Sequence, residues 1–269
     1  MSDTKPDDEA HIEASRAPLL EHLLELRTRL IWSLLGFVVA FIGSYFFAAQ
    51  IYAFLTHPLS MALAGQPGRH MIYTALHEAF FTYMKVAAFS ALCISFPIIA
   101  SQIWMFVAPG LYRNERRAFL PFLFATPVLF IMGAALVYYM LMPLMIRFFL
   151  GFETQGGPDQ LPIQLDAKVS DYLDLVMSFI FAFGLSFQLP VLLTLLGRVG
   201  LVSSDFLKSN RRYAIVFVFV VAAVLTPPDV LSQFSLAIPL LALYEVSVWS
   251  VWLIEKRRAD DAKRAESAV

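Results

Sequence analysis

Six apolar runs, about 30–49, 79–107, 118–150, 172–197, 213–226 and 231–254, constrain this chain more than any other feature. A helix needs roughly 20 apolar residues to cross the hydrocarbon core, so the first four runs are long enough, some with length to spare for tilt. Apolar residues make up 59% of the 269 and charged residues 15%, where a soluble domain carries about a quarter charged. An all-α polytopic membrane protein is expected. Pro97 falls in the second run, Pro121, Pro127 and Pro143 in the third, and Pro190 in the fourth. Kinks are expected there, because membrane helices tolerate proline where neighbours satisfy the freed carbonyls.

The last two runs are unusual. Arg211–Arg212 and Thr226-Pro227-Pro228-Asp229 fence the fifth to about 13 residues, roughly 20 Å at 1.5 Å per residue. The sixth carries Glu245, with Trp249 and Trp252 just after it. If those tryptophans mark the interface, the sixth span is short as well and Glu245 lies near its inner end.

Charge sets the orientation. Of the 20 Lys and Arg residues, 16 lie before the first run, in the 2–3 and 4–5 connections, or after the sixth run. Both termini are therefore expected in the cytoplasm. Trp32, Trp104, Trp249 and Trp252 all fall at that side, as an aromatic belt would. About two dozen polar residues precede the first run, so no signal peptide is expected. Three units follow: a disordered cytoplasmic N-terminus over 1–17, a six-span domain over 18–255, and a cytoplasmic tail over 256–269. Within the domain, Pro18–Leu30 repeats leucine at helical spacing and reads as an amphipathic interfacial helix running into span 1. The outer loops, about 50–78 and 153–171, mix Pro, Gly and apolar residues and are expected to fold back as a cap.

Several function classes fall away. Cys93 is the single cysteine, and the five histidines show no paired ligand spacing, so no disulfide, metal or cofactor is expected. No nucleophile–base pair or HExxH stretch marks an enzyme, and no basic stripe marks a nucleic-acid binder. One stretch does carry chemistry. Trp104–Arg117, WMFVAPGLYRNERR, interrupts two runs with Pro109–Gly110 and sets Glu115 between Asn114 and Arg116 at the water–lipid boundary. Glu25 lies on the same side in HLLELRTRL; an i,i+4 pair with Arg29 is its bland reading, as pairing with Arg116 or Arg117 is for Glu115.

Four stretches, HLLELRTRL (22–30), APGLYRNERR (108–117), FGLSFQLPV (183–191) and LTPPDVLSQ (225–233), resemble the signatures of the TatC family of twin-arginine translocases. The resemblance runs from Leu19 to Trp252. It implies six spans in a concave, glove-like arrangement with short fifth and sixth helices. It also implies a multi-pass protein of the bacterial inner membrane that binds twin-arginine signal peptides. With single-span subunits of the TatA and TatB type and with itself, it would export folded proteins on the proton-motive force. Carried over by motif, Glu25, Arg27, Phe106, Glu115 and Arg116 would bind the signal peptide. Pro58 matches a family proline in the first outer loop, and Pro227, Pro228 and Asp229 its outer turn. Gln188 departs from the glutamate that some members hold in span 4; it and Glu245 are intramembrane polar candidates.

The chemistry agrees with that implication. Adjacent side chains on an extended peptide point to opposite sides, so two consecutive arginines need acceptors on two different elements. Glu25 and Glu115 are such a pair, and arginine's fork engages a carboxylate with two hydrogen bonds where lysine offers a point charge. Gln188 reads equally as a helix–helix hydrogen bond or as a polar spot in the concavity. A secondary transporter of a small solute or ion is the alternative; it predicts an internal repeat and midplane charges, and no repeat is visible.

Overall fold

The computed structural model describes the backbone of residues 6–64, 68–107, 116–157, 161–226 and 229–266, and side chains mainly from 22 onward, excluding 107–120. Every regular element among them is helical. Helix α1 (Pro6–Phe46) is followed by α2 (Ala48–Ala62) and α3 (Glu78–Val107). Helix α4 (Arg116–Leu136) passes through one π-helical turn, Val137–Leu141, into α5 (Met142–Leu150). Then come α6 (Val169–Ser186), α7 (Leu189–Val199), the short α8 (Ser204–Ser209), α9 (Arg211–Leu225) and α10 (Val230–Glu266). Five helical stretches are long and apolar enough to cross a membrane: His22–Phe46, Glu78–Phe106, Pro121–Leu150, Val169–Val199 and Ser232–Asp260. Helix α9 is the expected short fifth run, at 15 residues.

One expectation is corrected: disorder is expected over 1–17, yet from Pro6 onward the backbone belongs to α1. The amphipathic helix over 18–30 runs into span 1 as expected, α1 being unbroken to Phe46. Helix α10 continues past the sixth apolar run to a length of 37 residues, because the Glu-, Lys-, Arg- and Ala-rich stretch after Trp252 favours helix as strongly as the apolar part does.

Proline explains the interruptions. Pro143 has no N–H, and its ring crowds the carbonyl four residues back, so the preceding turn widens. There the Met142 N–H bonds the Val137 carbonyl, five residues back. Pro190 likewise divides the fourth span, with Phe187 and Gln188 between α6 and α7. In α2, buried Pro58 leaves the Phe54 carbonyl without its helical donor. Tyr138 supplies one, its hydroxyl donating at 2.9 Å while its ring stacks on Phe54 at 4.3 Å.

Helix α1 packs on α3, α4 on α6, and α7 and α9 on α10. Without a hydrophobic drive between helices in lipid, close approach depends on small residues. A methyl group on Gly133 would lie 2.7 Å from the Phe183 carbonyl oxygen, and one on Gly184 2.5 Å from the Phe130 ring. The core lies between α3, the π turn, α5, α6 and α10, with Val86, Val137, Met142, Phe179, Phe183 and Leu236 fully buried.

The two outer loops do fold back into one cap, at the end of the bundle opposite the termini. Arg69 forks onto Glu153 with both contacts at 2.7 Å and also donates to the Leu165 carbonyl. The Leu165 N–H returns a bond to Glu153. Ile72 pairs with Ala167 and Val169 through the backbone, at 3.1 and 2.9 Å. The Arg69 guanidinium, with the Leu165 N–H, holds the Glu153 carboxyl down at about 2, far below its ordinary range.

Candidate functional site

The site is built where α1 lies along the last turns of α3, at the end of the bundle that carries the termini. His22, Glu25 and Arg29 recur at three- and four-residue spacing, so one face of α1 carries all three. Facing them, Gln102, Met105 and Phe106 recur in the same way on α3. The His22 and Phe106 rings stack at 4.2 Å, tilted by 13°. The Arg29 Nη2 lies 3.2 Å from Glu25 Oε1, so the i,i+4 pair foreseen for Glu25 is present. Arg29 Nη1 reaches across to Gln102 Oε1 at 3.4 Å and to the Met105 sulfur at 3.7 Å. Glu25 and Arg29 are each about one-third exposed, and the second Glu25 oxygen makes no hydrogen bond among the described residues.

Chemically, this is a carboxylate with open accepting capacity beside an aromatic stack, at the border of an apolar wall. Such a carboxylate accepts a guanidinium or ammonium group, and the stack gives a long aliphatic side chain a surface to cover.

The expected residues divide clearly. Glu25 and Phe106 meet at the α1–α3 seam, each through its neighbours on the facing helix. Arg27 does not join them; it is exposed, about 200° around α1 from Glu25. Glu115 lies outside the described residues, as do Pro227 and Pro228, and of Arg116 only the backbone, at the start of α4, is described. Asp229 caps α10, its Oδ1 accepting the Ser232 N–H at 2.7 Å. Pro58 acts through the Phe54 carbonyl described above.

Gln188 is a helix-to-helix bond donor. Its amide nitrogen donates to the Thr126 carbonyl at 3.0 Å and to the Gly184 carbonyl at 3.3 Å. Its Oε1 is buried without a partner among the described residues. The Trp104 indole donates to the Thr126 hydroxyl at 3.1 Å, which extends the polar chain from α3 through α4 to the break before α7. Beside Gln188, an apolar cavity of about 220 Å³ opens between Leu185, Leu192, Phe217, Val221 and Leu240. Glu245 pairs with Arg211 at 2.7 Å, joining the start of α9 to α10.

Sequence reasoning missed His22, Gln102, Met105 and Arg211. For His22 the signal was present, since it shares a helix face with Glu25. The α3 residues carried none, because nothing local says which face of α3 meets α1.

Comparison with known proteins places this geometry. The family model of the Sec-independent protein translocase protein (TatC) matches residues 21–239. The chain is 48% identical over 252 residues to the Sec-independent protein translocase protein TatC of Magnetococcus marinus, covering 94% of this chain and 90% of that one. The chain belongs to the TatC family. The Escherichia coli TatC is 38% identical over 232 residues, covering 86% and 87% of the two chains. A crystal structure of the twin-arginine translocase receptor TatC superposes with a TM-score of 0.74 at 35% identity, over 87% of this chain and 99% of that one. TatC proteins are multi-pass translocase components and not enzymes, so the small-solute transporter reading is set aside.

Proposed function

We propose that this TatC protein receives twin-arginine signal peptides at the α1–α3 site, with Glu25 and Glu115 each accepting one arginine. The observation that carries the reading is the Glu25 carboxylate, held at the end of the bundle beside the His22–Phe106 stack with one oxygen that takes no partner among the described residues. Two carboxylates from separate elements match two side chains that leave an extended strand in opposite directions. The peptide's apolar stretch would then follow the wall of α3, α4 and α6. The termini face the cytoplasm of a bacterium, across whose inner membrane folded proteins are exported on the proton-motive force. TatA- and TatB-type single-span subunits and further TatC copies complete the assembly.

The test is binding of an Arg-Arg peptide and its Lys-Lys counterpart to wild type, Glu25→Gln and Glu115→Gln. A hydrogen bond to a charged group contributes about 1.5–3 kcal/mol, so each variant should bind the Arg-Arg peptide roughly ten- to a hundredfold more weakly. Full discrimination between the peptides in both variants would overturn the reading.

A further inference from the structure

Two arginine–carboxylate pairs in this molecule differ in kind. Arg69 engages Glu153 with both prongs at 2.7 Å and has a backbone carbonyl besides. Arg29 engages Glu25 through one nitrogen at 3.2 Å. Its other contacts, to Gln102 and the Met105 sulfur, are long at 3.4 and 3.7 Å. Its Nε is buried and has no partner among the described residues. The first pair is a fixed part of the cap; the second leaves host and occupant both underused. A guest guanidinium approaching as a fork could give Glu25 two short bonds, which Arg29, tied to the same helix one turn away, does not.

We propose that Arg29 is a built-in occupant of the Glu25 site, which a guest arginine displaces, and that it sets the affinity of the site. The inference rests on the reading of Glu25 as the acceptor. While Arg29 sits on Glu25 Oε1, the carboxylate cannot give a guest both oxygens, and in that sense the site is not competent. The apparent dissociation constant is therefore the intrinsic one divided by the competent fraction. That factor is the same for every guest that uses Glu25. Arg29 accordingly lowers the affinity of arginine and lysine peptides alike and leaves their ratio untouched. It is a positioning residue that acts through Glu25. A merely structural role, tying α1 to α3, predicts the reverse: its removal would loosen the site, weaken binding and blur discrimination.

The experiment measures Arg-Arg and Lys-Lys peptides against the full chain in detergent, for wild type, Arg29→Gln, Arg29→Lys, Glu25→Gln and the Glu25→Gln/Arg29→Gln double variant. Arg29→Gln should tighten both peptides by a common factor of roughly two to five, the scale on which a partly exposed ion pair acts. The gain should vanish in the double variant. Arg29→Lys, which keeps charge and reach but has no fork, should fall between, and it decides the matter if Arg29→Gln does not fold. Unchanged or weaker binding, or a shift in the ratio of the two peptides, would overturn the proposal. Glu25→Gln separates the failures. If it weakens binding while the Arg29 variants do not tighten it, only the inference about Arg29 falls; if it leaves binding unchanged, the reading of Glu25 falls first.

Discussion

The Tyr138 hydroxyl donates to the Phe54 carbonyl at 2.9 Å, an acceptor open only because Pro58 follows four residues later. Proline and tyrosine thus form one device on two elements, α2 of the cap and the π turn of the third span.

Removing either half should expose the coupling. Tyr138→Phe is expected to lower stability by about 0.5–1.5 kcal/mol, the range of a net hydrogen bond. In a Pro58→Ala background the restored Ala N–H serves Phe54, so the same change should cost distinctly less. Thermal unfolding of the four proteins in one detergent reads the difference. Equal costs in the two backgrounds would show that Tyr138 and Pro58 are not coupled through the Phe54 carbonyl.

Gly133 and Gly184 lie where α4 crosses α6. Gly133→Ala drives a methyl group against the Phe183 carbonyl, and backbone moves only with its helix. A destabilisation of about 1–3 kcal/mol is expected, as for other overpacked cores. Gly184→Ala meets the Phe130 side chain instead of backbone, though that ring is itself buried and stacked on Phe96 at 4.1 Å; a loss no larger than that of Gly133→Ala should be visible in the melting temperatures.

The cap should have an acid transition. Glu153 titrates at about 2 in the fold against an ordinary value of 4.5, so its folded-state value is depressed. Its contribution is complete above pH 4.5 and is lost as pH falls from there toward 2. Amide exchange over residues 68–74 and 161–167 should accelerate across that interval while the core amides hold. Glu153→Gln should show the fast exchange already at neutral pH, and Arg69→Lys should lie between, since lysine has no fork.

Gln188→Leu removes the bond to Thr126, which in a membrane is worth about 0.6 kcal/mol on average. The protein should fold, and peptide binding at the α1–α3 site should be unaffected. Export in cells should fall further than that small loss of stability explains, because Gln188 lines the apolar cavity and its buried Oε1 has no partner among the described residues. Export at the wild-type rate would reduce Gln188 to a packing bond.

Much of the fold was legible because membrane burial leaves long, simple marks. Apolar runs gave the spans, and Pro143 and Pro190 gave two of their interruptions, since a missing N–H acts locally. The Glu25–Arg29 pair was legible for the same reason, being one turn apart. What could not be read is pairing across distance: Arg29 with Gln102 spans 73 positions, and Arg69 with Glu153 spans 84. Helical periodicity says which residues share a face, never which other face it meets. The length of α10 escaped for a different reason. Hydropathy tracks the match to lipid, whereas the helix continues wherever backbone propensity allows.

Helix α9 packs chiefly on α10. At its start Arg211 is fastened to Glu245 of α10, and Gln233 of α10 donates to the Phe219 carbonyl farther along it. Before it, Ser204 is held by Glu255 of α10, whose Arg258 also reaches the Arg198 carbonyl. A rung of 15 residues, about 22 Å, fixed in this way can neither stretch nor slide to match a hydrocarbon layer of about 30 Å. The softer partner yields, so water and lipid headgroups should be drawn inward on this flank and the barrier to passage lowered there before any other subunit arrives.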